Sequence, residues 1–312
     1  MTITLPPGVV ANIRTIFAAR GERWLADLPE MVAQRCAAWD LEVIGQPFDG
    51  GTHSFAAPVR RDDGTVAVLK VPVPDEEDAG EVAGMYCYRG DGAAYLYDFD
   101  ADSGALLLEW ARPGTPLVAQ PPIPLEGRPE NAGRVRLACA LYRRLRRQPT
   151  TLPPGYPPLP LVADIVSDWT VRLTGAELTG YLTAELTGPA RDWCAALAEP
   201  DGPLLVVNRD THLGNIVAAE REPWLLIDPK AYLGEAAFDA GFLILKMVET
   251  EADPDPRAAR RMVAAAADGL EVRPERARGW AFLRAVEEVA WSLEDDRPTD
   301  AARYRRVAAA LS

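Results

Sequence analysis

Leu204-Leu205-Val206-Val207-Asn208-Arg209-Asp210-Thr211-His212-Leu213-Gly214-Asn215, with Trp224-Leu225-Leu226-Ile227-Asp228-Pro229-Lys230 shortly after it, is the stretch on which the reading of this 312-residue chain turns. Two short apolar runs, each the length of a buried strand, end in polar loops. The first delivers Asp210, with Asn215 five positions on; the second delivers Asp228. A carboxylate leaving a rigid strand end is held well enough to project a side chain at a fixed point.

Residues of these types at this spacing suit phosphoryl transfer. An alcohol acceptor needs a carboxylate that orients the hydroxyl and takes its proton, the role expected of Asp210. Asn215 and Asp228 are hard oxygen ligands suited to Mg2+ bridging the phosphates of ATP. Protein kinases carry the same spacing in H-R-D-x-x-x-x-N and D-F-G. His212, inside the loop, is expected to brace it rather than to titrate. Lys230 either steers phosphate or pairs with an acid.

Upstream, Thr65-Val66-Ala67-Val68-Leu69-Lys70-Val71 reads as a strand, and Lys70 stands where the kinase V-A-I-K lysine binds the α- and β-phosphates. Its carboxylate partner is expected from a helix over 76–88: Glu81 first, Glu77 second. The glycine-containing segment 45–55 lies between the strand Leu41–Ile44 and the Lys70 strand. Through Gly50 and Gly51 it is a candidate phosphate-covering loop, although it is not G-x-G-x-x-G. His53 is expected at that loop's tip. No G-x-x-x-x-G-K-[ST] occurs, which closes the P-loop route. Glu109 and Ala111, either side of Trp110, lie where a connector would offer backbone groups to an adenine ring.

The remaining pattern is α+β. Apolar spacing predicts helix over 9–40, broken in two at Pro29. Strands are expected over 55–60 and 65–71, joined by the Arg61-Asp62-Asp63-Gly64 turn, and over 93–99 and 104–109. A lobe boundary is placed at the connector 110–116, giving a small mixed-sheet lobe over 1–109 and a larger helical lobe over 117–312. An amphipathic helix over 129–147 carries Arg134, Arg136, Arg143, Arg144, Arg146 and Arg147 as a solvated face. Six prolines within 149–160 preclude regular structure there.

Apolar residues make up 48% and charged residues 25%, and no run approaches the ~20 apolar residues of a membrane span. The first residues lack the basic and apolar regions of a secretory signal. Four cysteines (Cys36, Cys87, Cys139, Cys194) are scattered without a C-x-x-C pair. Reduced thiols and a cytoplasmic location are the expectation. Two histidines are too few for a multi-histidine zinc site. A formal charge of −13 disfavours nucleic acid and anionic membrane as partners and suits a cationic small molecule.

These motifs resemble the aminoglycoside phosphotransferase superfamily, in its streptomycin/hydroxyurea phosphotransferase branch. That branch carries H-x-D-L-H-x-x-N, then W-L-x-I-D-P-K, then G-[DE]-x-x-[FY]-D. Here the counterparts are Asn208–Asn215, Trp224–Lys230 and Gly234-Glu235-Ala236-Ala237-Phe238-Asp239. Further likeness lies in Pro47-Phe48-Asp49-Gly50-Gly51, Ala57-Pro58-Val59-Arg60-Arg61, Leu106-Leu107-Leu108-Glu109 with Pro113-Gly114-Thr115-Pro116-Leu117, and Arg284-Ala285-Val286-Glu287 with Trp291-Ser292-Leu293-Glu294. The resemblance implies a bilobal protein-kinase-like fold, ATP and Mg2+ as cofactors, and O-phosphorylation of an antibiotic that confers resistance. By residue it implies Asp210 as base, Asn215 and Asp228 on the metal, Lys70 on phosphates and Asp239 as a brace under the loop. Asn208 replaces the usual His, and Thr211 the usual Leu.

For a cationic aminoglycoside such as streptomycin, Glu235, Glu287, Glu288 and Trp291 are the acceptor-side candidates. Trp280 and Trp291 serve either as an apolar wall or as core. Other acceptors within the class are hydroxyurea, a sugar or an amino sugar. A nucleotide-binding pseudokinase is disfavoured by the intact Lys70, Asp210, Asn215 and Asp228. A protein kinase ranks last, because no A-P-E segment follows Asp228. A monomer or weak homodimer is the expected assembly.

Overall fold

The structure, a computed structural model, describes residues 4–49, 53–75, 79–123, 132–174, 182–250 and 254–312. Gly50, Gly51 and Glu77 therefore lie outside the described residues. The chain divides into two compact units. The first holds Met1–Gly114, Thr151–Pro158 and Ala218–Leu225; the second holds Thr115–Thr150, Leu159–Val217 and Leu226–Ser312.

The first unit begins with α1 (Pro7–Ala38), whose Val9, Ile13, Phe17, Trp24, Leu28 and Val32 are buried. Pro29 lies inside the helix, and the expected break there does not occur. The break falls at Ala18 instead, with φ 46° and ψ −126°. The chain reverses sharply enough there for Arg14 and Glu22 to pair at 2.8 Å. A Cβ on Gly21 would meet the Ile13 carbonyl oxygen at 2.6 Å, so only glycine admits this approach. Two helical segments are present as expected, but sterics at Gly21 place the joint.

The sheet that follows comprises β1 (Glu42–Val43), β2 (Ser54–Arg60), β3 (Val66–Pro72), β4 (Leu96–Phe99) and β5 (Leu106–Glu109), with α2 (Ala79–Tyr88) between β3 and β4. Its order is β1-β2-β3-β5-β4 and all its pairings are antiparallel. Asp63 closes the β2–β3 turn by accepting from the Thr65 backbone N at 2.8 Å, and Gly64 takes φ 82°. Strand alternation puts Ala67, Leu69 and Val71 of β3 into the core shared with α1, and Trp24 Nε1 donates to the Pro72 carbonyl at 2.9 Å. Lys70 is thereby sent to the opposite face of the sheet. His53 is not at a loop tip: its ring meets Phe17 edge-on at 5.3 Å, and its carbonyl accepts from Val73 N.

Connecting strand β6 (Pro113–Pro116) leads to α3 (Ala132–Leu145), α4 (Val162–Thr174) and α5 (Ala184–Leu197). Next come β7 (Leu205–Asn208), the neighbouring strands β8 (Ile216–Ala219) and β9 (Trp224–Leu226), and β10 (Ala231–Gly234). A 3-10 turn over Ala236–Asp239 opens α6 (Ala240–Glu249), followed by α7 (Pro256–Leu270), α8 (Pro274–Glu294) and α9 (Pro298–Leu311). Each of the last three starts on a proline, whose missing N–H costs nothing at a first helical position. In the second unit β7 pairs antiparallel with β10, Asn208 opposite Ala231. The loop leaving β7 and the segment entering β10 therefore meet at one end of that ribbon. Among the described residues no helix is long and apolar enough to cross a membrane.

Candidate active site

Asp210 sits in the loop leaving β7. Its Oδ2 accepts from Asn215 Nδ2 at 2.9 Å, which turns the Asn215 amide carbonyl to the other side. Asn215 in turn fixes the next segment: its backbone carbonyl accepts from Ile227 N at 2.8 Å, and Nδ2 lies 3.5 Å from the Asp228 carbonyl oxygen. Asp228 has φ 50°, a left-handed conformation that Asp tolerates better than most residues, and is exposed. Asp210, Asn215 and Asp228 are thus brought together in the second unit.

His212 makes its contacts inside the loop. Its Nδ1 accepts from Gly214 N at 2.9 Å, so the ring proton belongs on Nε2, which lies 3.4 Å from Asp210 Oδ2. A Cβ on Gly214 would meet this ring at 2.7 Å. Burial pushes the Asp210 carboxyl upward, but the His212 hydrogen bond and the positive charge of Lys230 outweigh it and hold Asp210 below the ordinary carboxylate value. The Asp210 carboxyl is thereby kept ionised at neutral pH.

Asp239 lies beneath the loop, buried. It accepts from Asn208 N at 2.7 Å and from Arg146 Nε at 2.5 Å. Arg146 also donates to the Leu270 carbonyl at 2.7 Å. This corrects the expectation of a uniformly solvated arginine face: Arg146, just past the end of α3, is largely covered in its pairing with Asp239. The two departures from the family pattern have structural roles. Thr211 Oγ1 donates to the Asp239 carbonyl at 2.8 Å and accepts from Leu243 N at 3.0 Å, so it ties the loop to the first turn of α6. Asn208 Oδ1 accepts from the backbone amides of both Asp210 and Lys230, at 3.1 and 3.0 Å. Its Nδ2 is buried with no partner among the described residues, a cost of about 1–3 kcal/mol.

In the first unit, Lys70 Nζ reaches both carboxylate oxygens of Glu81 at 2.7 Å, and both side chains are largely buried. Glu81, the first choice of partner, comes from α2. The Glu109 carboxylate is engaged otherwise: Arg221 donates to it at 2.9 and 2.8 Å, and Tyr95 N at 2.9 Å. Any nucleotide contact at Glu109 is left to its backbone. Ala111 is buried.

The acceptor-side candidates separate from the expectation. Glu235 is 2% exposed, and its oxygens accept from Asp201 N at 2.8 Å, Arg276 Nε at 2.7 Å and Trp280 Nε1 at 2.5 Å. It is an internal anchor, and Trp280 is core. Glu287 is also buried, accepting from Arg209 at 2.5 Å, from Trp169 Nε1 at 2.8 Å and from Arg284. Burial opposes its ionisation, yet the charges of Arg209 and Arg284 bring it down to about 2. Glu288 pairs with Arg284 at 2.8 Å, and burial raises its carboxyl. Trp291 carries the guanidinium groups of Arg209 and Arg284 over its ring, at 5.2 and 4.8 Å. Glu235 and Glu287 are spent on internal partners, because a buried carboxylate needs donors around it. Trp169, Phe238, Phe242, Arg209, Arg284 and Glu287 line a small cavity beside this cluster.

Arg146, Arg209 and Asn208 had no assigned function in the sequence. Each has a partner far along the chain, 93, 78 and 22 residues away, that no local spacing announces.

The family model for aminoglycoside/hydroxyurea antibiotic resistance kinases matches residues 38–296. The streptomycin 6-kinase of Streptomyces griseus is 32% identical over 314 residues, covering 99% of this chain and 97% of that protein. The hydroxyurea phosphotransferase of Kitasatospora aureofaciens is 35% identical over 283 residues, covering 89% and 76%. Among solved structures, an aminoglycoside phosphotransferase in ternary complex with ADP and hygromycin B superposes with a TM-score of 0.60 at 14% identity, covering 89% of this chain and 97% of that one. A choline/ethanolamine kinase family protein from Mesorhizobium loti gives 0.57 at 17% identity, covering 90% and 95%. The α+β fold is the one these kinases share.

Proposed function

Since the chain belongs to the aminoglycoside/hydroxyurea antibiotic resistance kinase family, we propose that it transfers the γ-phosphoryl group of ATP to a hydroxyl of an aminoglycoside of the streptomycin type and so inactivates the antibiotic. Asp210 orients the acceptor hydroxyl and takes its proton. Lys70, held by Glu81, engages the α- and β-phosphates. The backbone of Glu109 and Ala111 meets the adenine, and the glycines at 50 and 51 belong to a loop over the phosphates. Residues 110–116 are the hinge between an N-terminal and a C-terminal lobe.

Asn215 and Asp228 hold Mg2+. The donor set fits this ion: an amide oxygen and a carboxylate suit a hard cation that takes most of its remaining ligands from phosphates and water. When bound, the metal neutralises charge developing on the phosphates. Asp239, Arg146 and His212 keep the loop in shape around Asp210. The protein works in the cytoplasm, where ATP is available.

The observation that supports this reading best is the hydrogen-bonded run from Asp210 through Asn215 to the segment ending in Asp228, with Asp210 held ionised. A coupled ADP-release screen over streptomycin, other aminoglycosides, amino sugars and hydroxyurea tests it. Turnover with streptomycin well above the rate without acceptor is expected; no acceptor-dependent rate with any aminoglycoside overturns the streptomycin assignment.

A second reading, hydroxyurea or another small neutral acceptor, is favoured by one observation. Glu287 and Glu288 on α8 are matched by Arg209 and Arg284, so this wall carries no surplus negative charge for a polycation. Acceptor-dependent turnover confined to hydroxyurea in the same screen would select it.

A further inference from the structure

We propose that Asn208 is a positioning residue whose amide oxygen ties the catalytic loop to the metal-binding segment. The inference rests on the reading of Asp210 as base and Asp228 as magnesium ligand.

Asn208 closes β7 immediately before the loop. Its Oδ1 accepts from Asp210 N on one side and from Lys230 N on the other, at 3.1 and 3.0 Å. Both neighbours are N–H donors, so the amide's orientation is settled by chemistry: only the oxygen can face them. A third strap runs alongside, Arg209 N donating to the Lys230 carbonyl at 2.8 Å. From below, Asp239 accepts from Asn208 N at 2.7 Å. Nδ2 points away, buried and without a partner among the described residues. The amide's contacts to the two segments are thus carried by its oxygen alone.

The family pattern usually has His here. A neutral imidazole offers one acceptor nitrogen with one in-plane lone pair, whereas an amide oxygen offers two lone pairs and can serve both backbone amides. Asp228 lies two residues before Lys230, so fixing Lys230 N against Asp210 N limits how far the metal ligand can drift from the base when Mg2+ and nucleotide load. Asn208 needs no contact with substrate to do this.

Two variants test the proposal. Asn208→Leu keeps the volume and removes the oxygen; Asn208→Asp keeps the acceptor oxygens and removes the unpartnered NH2. Hydrogen exchange at the Asp210 and Lys230 amides is read by NMR on the nucleotide-free protein, and ADP affinity is measured by calorimetry with and without Mg2+. For Asn208→Leu, exchange at both amides accelerates at least about tenfold. Its metal-free ADP affinity stays within about twofold, while the gain in affinity conferred by Mg2+ falls at least about fivefold. Asn208→Asp keeps the slow exchange at both amides. A merely structural role would lower stability without moving the Mg2+ gain. Unchanged exchange at either amide, or an unchanged Mg2+ gain, in folded Asn208→Leu overturns the proposal. Should Leu prevent folding, Asn208→Ala is read the same way. A parent protein with no Mg2+ gain at all removes the metal assignment of Asp228, and the exchange rates then decide by themselves whether Asn208 ties the two segments.

Discussion

Replacing Glu287 by Gln probes the most heavily compensated charge in the second unit. Gln keeps the shape and one oxygen for Trp169 Nε1, but it removes the carboxylate charge that Arg209 and Arg284 share, leaving Arg284 its pair with Glu288. Holding this buried carboxyl at about 2 instead of its ordinary 4.5 is worth about 3 kcal/mol. That agrees with the ~3–5 kcal/mol typical of removing one partner from a buried pair. The folded value lies below the unfolded one, so the contribution is complete above the ordinary value of 4.5 and is lost as pH falls through about 2. Urea unfolding of parent and Glu287→Gln, followed by tryptophan fluorescence, should show a gap of about 3 kcal/mol at neutral pH that narrows once the pH drops below the ordinary carboxylate range. The acceptor KM of the folded variant should change less than about threefold, since protein donors already occupy the Glu287 oxygens. A gap under ~1 kcal/mol at neutral pH, or one that ignores pH, refutes the ion-pair reasoning. A KM rise of ~tenfold without loss of stability restores Glu287 as an acceptor ligand.

Three further outcomes are expected. His212→Ala removes the donor that helps hold Asp210 low, so the acid limb of the kcat/KM profile moves to higher pH; an unmoved limb refutes that role for His212. Thr211→Val removes the hydroxyl that bonds both Leu243 N and the Asp239 carbonyl and should cost about 1–3 kcal/mol in urea unfolding, whereas a loss near zero would mean the hydroxyl ties nothing together. Lys70→Met takes the ammonium partner away from the buried Glu81 carboxylate and should destabilise by about 3–5 kcal/mol, while Lys70→Met combined with Glu81→Leu should cost markedly less; equal losses would show that the pair is not coupled.

Much of the fold was legible because it rests on local signals. The period-two burial of β3, the Asp63-Gly64 turn and the strand-ending Asp210 and Asp228 all follow from short-range chemistry. Lys70 and Glu81 were legible as a pair because a strand and the next helix lie close in sequence. The joint in α1 was misplaced: Pro29 is the stronger local signal, but the close approach of Gly21 to Ile13 is a tertiary contact that no helical pattern encodes. The acids of α8 and the turn before α6 were misread for a related reason. Glu235 and Glu287 look like available surface charge in sequence, and only the distant Arg276, Arg209 and Trp169 reveal them as buried and matched. Arg146 was hidden among solvated arginines of one helix because its partner Asp239 belongs to another element. In each case the decisive interaction joins residues whose separation along the chain carries no pattern.

Single-turnover transfer of labelled γ-phosphoryl from ATP to streptomycin, in the parent and in Asp210→Asn, tests the central claim most directly, with nucleotide affinity measured on the same samples. Removing the base should slow transfer by about 10²-fold or more while nucleotide affinity changes less than about threefold. Transfer within about tenfold of the parent would contradict Asp210 as the group that takes the acceptor's proton.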